Sequence, residues 1–329
     1  MIVRATGADM LAALALAACG GGQTGDSTLA ESRTGEQELS ELEERQQELE
    51  RQLDRGKPVE EVPDTRTPPR ASPTLTPVDI RAFKRFAATL NGSAEIVVGS
   101  FGSRPVQLGV VRDNTAWSTI KVPIAVRVLK DAGGPAALPA TTRDEIFRAL
   151  TASDNDAAKS LWNSLVSTYG GPEGAAQATT EVLRTAGDDT TEVSSQGRAD
   201  FSPYGQTHWQ LLSQHRFMAS LAAGCVADSA TTRYLLDTMT QVIEGQRWGL
   251  GTVGRPALYK GGWGPDPEQQ YLVRQMGVLH HTRQGGGTVV TLAAEPADGS
   301  FDSGTAMLTA MAEWLDERVT DEPARPVAC

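Results

Sequence analysis

The chain has 329 residues, of which 22% are charged, 40% hydrophobic and 5% aromatic. Its 30 Lys and Arg against 41 Asp and Glu give a formal net charge of −11, which argues against a nucleic-acid binder and against attraction to anionic lipid. No run approaches the about 18–20 apolar residues of a spanning helix, and three cysteines are too few for a disulfide-dense scaffold.

Residues Met10 to Ala18 form a short apolar run after Arg4, ending Leu16-Ala17-Ala18-Cys19 before Gly20-Gly21-Gly22. The run is too short for a mature membrane helix and predicts an export signal over 1–18. Small residues before a single Cys resemble the bacterial lipobox. That resemblance implies acylation of Cys19, which would become the first residue and anchor the exported domain to the cell membrane. The alternative is a plain signal peptide with an incidental Cys, and Asp9 just before the apolar run departs from the usual basic leader. In an oxidising compartment the two remaining thiols, Cys225 and Cys329, either pair or stay free, one buried and one on a loose tail.

Residues 19–77 read as an acidic, Pro-rich tether, with 13 acidic and 7 basic residues across 20–78. Within it, Leu39, Leu42, Leu49 and Leu53 sit at helical spacing, with Gln46 in the same stripe. A short coiled coil and a solvated transient helix both fit, and two heptads are marginal alone. Pro63, Pro68, Pro69, Pro73 and Pro77 keep the following stretch extended.

A folded domain is expected over 78–320, with a tail at 321–329. A helix fits Asp79 to Leu90, stopped by Asn91-Gly92. Strands are expected at Ala94–Val98 and Val106–Val111, then a helix-rich stretch from Ser118 to Gly245. Strands return at Ala257–Lys260, Tyr271–Leu279 and Thr288–Ala293, before a last helix over Gly304–Val319. Strands drawn from both chain ends, with helices inserted between them, predict an α+β fold: an antiparallel sheet flanked by helices, carrying an inserted all-helical subdomain.

Three short motifs carry candidate chemistry. In Ser118-Thr119-Ile120-Lys121, helical spacing puts Ser118 and Lys121 on one face. A desolvated lysine among positive neighbours loses proton affinity and can accept the serine proton. Ser153-Asp154-Asn155 precedes Ala157, Ala158, Leu161 and Trp162 at helical spacing, and by itself reads as an N-cap. Lys260-Gly261-Gly262-Trp263-Gly264 ends a strand, and by itself reads as a Gly-rich turn. Each pattern alone is commonplace. In this order, and on these elements, they resemble the S-x-x-K, S-D-N and K-T-G set of the penicillin-recognising serine enzymes, closest to class A β-lactamases.

The resemblance covers about residues 78 to 320. It implies Ser118 as the acylated nucleophile, Lys121 as its general base, and Ser153 as a proton relay to the leaving nitrogen. It implies Asn155 on the substrate's side-chain amide and Lys260 as a positive charge beside both serines. Gly262 and Trp263 would border the substrate, with the backbone N–H groups of Ser118 and Trp263 as the oxyanion hole. No cofactor is implied. His280-His281 has no Cys or acidic partner at ligand spacing, so no metal is assigned.

Departures from the pattern matter equally. Gly261 stands where the family carries a Thr whose hydroxyl helps hold the β-lactam carboxylate. Ser118 and Ser153 are only 35 residues apart. Gly187-Asp188-Asp189-Thr190-Thr191-Glu192-Val193 resembles the entry to the family's omega loop, and Phe201-Ser202-Pro203 its exit into the next helix. The Glu that positions the deacylating water has no counterpart between them, leaving Glu192 and Asp200 as the only acids. Gln206, His208 and Gln214 are expected on the following helix with Trp209 and Leu212 in the core. Arg247 is a candidate cleft residue, and Arg274 a candidate replacement for the carboxylate clamp. The expected function, as the resemblance implies it, is an exported serine hydrolase or acyltransferase that takes a small-molecule or peptide acyl donor, a β-lactam or a peptidoglycan-like amide or ester, forms an acyl-Ser118 intermediate and deacylates slowly. The alternative is a non-catalytic envelope-binding lipoprotein that retains the fold.

Overall fold

A computed structural model describes residues 75–282, 286–319 and 329. The signal, Cys19 and nearly all of the tether lie outside the described residues, as does most of the tail.

Helix α1 spans Pro77–Ala87. Thr76 caps it: its hydroxyl accepts from the Asp79 amide at 3.2 Å while Asp79 accepts from the Thr76 amide at 3.0 Å, and Pro77 fills the first turn. The helix begins two residues before the expected start because Pro77 belongs to it. Strands β1 (Gly92–Ser100) and β2 (Val106–Gly109) follow. A 3₁₀ turn, Trp117–Ile120, leads into α2 (Lys121–Ala132), then α3 (Ala140–Thr151), α4 (Asn155–Thr168) and α5 (Pro172–Thr185). After an irregular stretch come α6 (Leu211–Ala222) and α7 (Ser229–Met239). Strands β3 (Ala257–Pro265), β4 (Tyr271–Leu279) and β5 (Thr288–Pro296) precede α8 (Phe301–Asp316).

The sheet is antiparallel with order β2-β1-β5-β4-β3, so strands from the two ends of the domain meet at the β1–β5 pair. β3 is therefore an edge, and the third motif lies on it. β3 runs five residues past the expected end because Gly261–Pro265 pair with Tyr271–Gln275 of β4. The Gly-rich segment is strand rather than turn.

Alternation assigns the two faces. Ile96 and Val98 of β1 join Leu292 of β5 against Phe83 of α1 and Leu308, Met311 and Trp314 of α8. Val97 and Ala293 point the other way, against Leu211 of α6 and Trp117. Phe86 stacks on Trp314 with ring centres 5.4 Å apart, and Phe83 meets it edge-on at 5.6 Å.

α2 is the axis of the helical subdomain and contacts α3, α4, α5 and α7. In α2, Val122, Ile124, Ala125, Val126, Val128 and Leu129 are all buried, and the side carrying Arg127, Lys130 and Asp131 reaches solvent.

Cys225, just beyond α6, is bonded to Cys329, with Cα atoms 5.3 Å apart across a sequence separation of 104. A loop of that length corresponds to at most about 4–5 kcal/mol in the chain-entropy account. Cys225→Ser, or reduction, is expected to lower the unfolding free energy by about 2–4 kcal/mol in denaturant titration. Because Cys225 borders a different surface hollow from the cleft described next, active-site chemistry should be unchanged in the folded protein. A denaturation midpoint indifferent to reductant would show that the bond constrains nothing.

Candidate active site

A cleft of about 720 Å³ runs between β3 and α4, and Ser118, Lys121, Ser153, Asn155 and Trp263 all line it. Three separate sequence motifs thus converge on one cavity. Ser118 stands in the 3₁₀ turn and Lys121 opens α2, instead of both lying inside one α-helix. In 3₁₀ geometry residues i and i+3 eclipse, so both still face the same way.

Lys121 is 2% exposed. Its Nζ donates to the Ser153 carbonyl at 2.5 Å, the Asp154 carbonyl at 3.2 Å and Asn155 Oδ1 at 2.9 Å. Burial lowers its pKa to about 7, against a smaller upward pull from Asp154. Lys260, 1% exposed, lies beneath the cleft and donates to Ser153 Oγ and to the Gly261 carbonyl, both at 2.8 Å. Burial, and then the neighbouring Lys121, hold its pKa well below the ordinary lysine value. The two lysines therefore grip Ser153 from both sides, one by its carbonyl and one by its hydroxyl.

Asp154 is the N-cap of α4, accepting from the Asp156 and Ala157 amides at 2.8 and 3.0 Å, and it is paired with Arg148. The N-cap role and the site role of this motif thus coexist. Ser153 has φ +55° and Trp117 has φ +49°. For non-glycine residues this left-handed geometry costs of order 1–3 kcal/mol, and such strain clusters at functional sites. Here it places Ser153 and Ser118 on the cleft wall.

Gly262 lets the sheet edge meet the turn that carries Ser118. A Cβ there would lie 2.9 Å from the Ala116 carbonyl and 3.0 Å from the Ser118 and Thr119 amide nitrogens. Gly264 lies under the Trp117 ring, where a Cβ would be 2.4 Å from the indole. These approaches bring β3, with the Trp263 amide, against the turn that carries the Ser118 amide.

The shortened loop is anchored at both ends. Asp188, buried, accepts from the Thr190 and Thr191 amides and from Trp209 Nε1 at 3.0 Å. Arg198 donates Nε to Gln206 at 3.1 Å and Nη2 to the Pro265 carbonyl, and its guanidinium lies 4.7 Å from the Phe201 ring centre. The loop is thereby tied to the end of β3. Sequence inspection missed Arg198, because nothing local marks a residue whose partner is 67 positions away. Lys159 and Trp162 also line the cleft. Their helical spacing from Asn155 was the available signal.

Several expectations are corrected. Glu192 is exposed and paired with Arg184, and does not line the cleft; Asp200 does line it. Arg274 cannot serve as a carboxylate clamp. It is fully buried, donating to the carbonyls of Asn114, Thr115 and Trp209 and to Gln214 Oε1. Arg247 is exposed, donates Nε to the Val242 carbonyl at 2.9 Å, and is not a cleft residue. Gln206 and His208 precede α6 rather than lying on it, since a short 3₁₀ turn and a bridge to Thr115 come first. Gln214 is buried and donates to Thr119 Oγ1 at 2.7 Å. Trp209 is fully buried, and Leu212 packs against the core. His280 meets Asp316 at 2.6 Å, and no group of three or more metal-ligating side chains occurs among the described residues.

No protein-family model and no curated protein matches the sequence. Solved structures do match. A β-lactamase from Xanthomonas campestris pv. campestris is 18% identical, covers 73% of this chain and 98% of its own, and superposes with TM-score 0.57. A β-lactamase from Chitinophaga pinensis is 15% identical with the same coverages and TM-score 0.59. TLA-3 extended-spectrum β-lactamase is 13% identical, covers 73% and 98%, and has TM-score 0.55. With a five-stranded antiparallel sheet, helices on both faces and a helical insertion between β2 and β3, the chain has the β-lactamase fold.

Proposed function

We propose that this protein is a serine-nucleophile hydrolase or acyltransferase that works through an acyl-Ser118 intermediate. The observation that carries the reading is the convergence of Lys121 and Lys260 on Ser153 in the cleft that Ser118 lines. In this reading Ser118 Oγ attacks the acyl carbonyl and Lys121 Nζ takes its proton. The Ser118 and Trp263 amides receive the developing oxyanion, worth several kcal/mol for such donors. Ser153, polarised by Lys260, returns the proton to the leaving atom, and Asn155 holds the donor's polar group. Water then releases the acyl group and restores Ser118. The same reading places the domain outside the cytoplasm on an acylated Cys19.

An activated acyl donor should add one acyl mass to the wild-type protein in intact-mass analysis and none to Ser118→Ala. Lys121→Ala should slow labelling by about 10²–10⁴-fold while leaving the fold intact, the usual range for a lost general base. Equal labelling of Ser118→Ala would overturn the assignment. No labelling by any donor would favour a non-catalytic envelope-binding role.

Lys121 must be neutral to accept a proton, so the acylation rate should rise with pH through about 7 and level off above it. Asp154 pulls the Lys121 pKa upward, so Asp154→Asn, which preserves an N-cap residue, should move the midpoint to lower pH. A rate flat between pH 6 and 8 would remove Lys121 as the base.

Deacylation needs a separately activated water. With Glu192 turned toward Arg184, Asp200 is the loop's acid at the cleft, and it is exposed. A chromogenic donor should therefore give a burst of one equivalent per site and then slow release. Rapid turnover without a burst, abolished in Asp200→Asn, would instead make Asp200 the deacylating base.

A further inference from the structure

The walls of the cleft indicate what kind of acyl donor it accepts. Outside Lys121, the charged side chains lining it are Asp156, Lys159 and Asp200, a formal sum of −1. The cations near the β3 end are already engaged. Lys260 is bonded to Ser153 and Gly261, and Arg274 is buried among four acceptors. Arg198 is bonded to Gln206 and Pro265 and stacked on Phe201, and Arg247 does not line the cleft.

Nor does β3 offer a neutral donor where a side-chain hydroxyl would be most useful. A Cβ on Gly261 would lie 2.9 Å from Trp248 Cη2 and 3.1 Å from Cζ2, so the indole occupies the space a larger side chain needs. Trp248 is edge-on to Trp263 at 5.8 Å, and Phe301 joins Trp263 at 5.4 Å and Tyr271 at 6.1 Å. Trp263 and Tyr271 present this aromatic cluster to the cleft, and Trp117, Trp162, Phe201 and Tyr204 line it as well. Aromatic walls reward aromatic and apolar groups. An unpaired carboxylate desolvated against them carries a penalty, and the one cleft-lining cation besides Lys121, Lys159, stands on α4 three residues from Asp156 rather than on this aromatic wall.

We propose that the cleft selects neutral acyl donors bearing an aromatic group, aryl esters or amides, and discriminates against donors with a free carboxylate on the leaving side. This rests on the acyl-enzyme reading above. In the reaction the Ser118 Oγ–acyl carbon bond forms and the bond from that carbon to the leaving oxygen or nitrogen breaks. The Ser118 proton passes through Lys121 and Ser153 to the leaving atom. Water then adds to the acyl carbon, giving the free acid and Ser118.

The test uses two substrates that differ in one group: the phenylacetylglycyl esters of 3-hydroxybenzamide and of 3-hydroxybenzoate. Wild-type kcat/KM, followed by release of the phenol, should favour the benzamide ester by at least tenfold. Gly261→Thr combined with Trp248→Ala, which makes room for a hydroxyl and removes the indole, should narrow the ratio. Binding of both esters to Ser118→Ala, measured by calorimetry, reads the same preference without chemistry. Equal treatment of the two esters, or preference for the benzoate, overturns the inference while leaving the nucleophile assignment standing. Selective binding without any turnover would sustain the inference about the cleft and sink the acyl-enzyme reading instead.

Discussion

The site depends on burying two lysines against one short loop. An ammonium group removed from water is costly unless its donors are met, and two such groups side by side also repel. Lys121 and Lys260 meet this constraint by sharing the loop around Ser153 as acceptor. That loop must therefore present a carbonyl to one lysine and a hydroxyl to the other, and Ser153 adopts a left-handed backbone. The surroundings hold it there. Asp154 caps α4 and pairs with Arg148, Gln246 donates to the Ala152 carbonyl at 2.6 Å, and the Ile243 amide donates to the Thr151 carbonyl at 3.2 Å. Proton affinity low enough for base chemistry follows from the burial itself rather than from a dedicated activating group.

A second constraint is the close approach of the sheet edge to the turn carrying Ser118. Gly262 and Gly264 permit it, and Trp117 fills the space so created. From the far side Arg274 ties β4 to the carbonyls just before that turn. A buried guanidinium with four acceptors is a positional device, because each acceptor that moved away would leave a buried donor unmet. Aromatic packing, through Trp248 over Gly261 and Trp117 over Gly264, occupies space beside the motif strand that side chains of other types would fill. The fold and the proposed nucleophile can therefore persist while the chemistry of the cleft wall changes.

Much of this was legible in the residues. Continuous short apolar runs marked the strands and period-3.6 patterning the helices, because β1 and β5 are buried on both faces and α8 on one. Tyr271–Leu279 is the strand that patterning delimits. The Gly-rich run after Lys260 was less legible, since glycine signals a turn locally and extends a strand only when a partner such as β4 supplies the ladder. Ser118, Lys121, Ser153 and Asn155 were candidates because three motifs, each commonplace alone, stand in an order that resembles the penicillin-recognising serine enzymes.

What the sequence by itself determined is the order of elements, the pairs of residues one helical turn apart, and the identity of the residues able to donate or accept protons. All of these depend on covalent connectivity and local periodicity. Only the tertiary structure decided which charges are available. Arg274 and Glu192 were both open to a role in the cleft by position in the chain, yet one is sealed in the interior and the other is turned outward to Arg184. Their partners lie at sequence separations that no local pattern encodes. Burial, which sets the Lys121 pKa and the polarity of the cleft wall, is likewise a property of the packed whole.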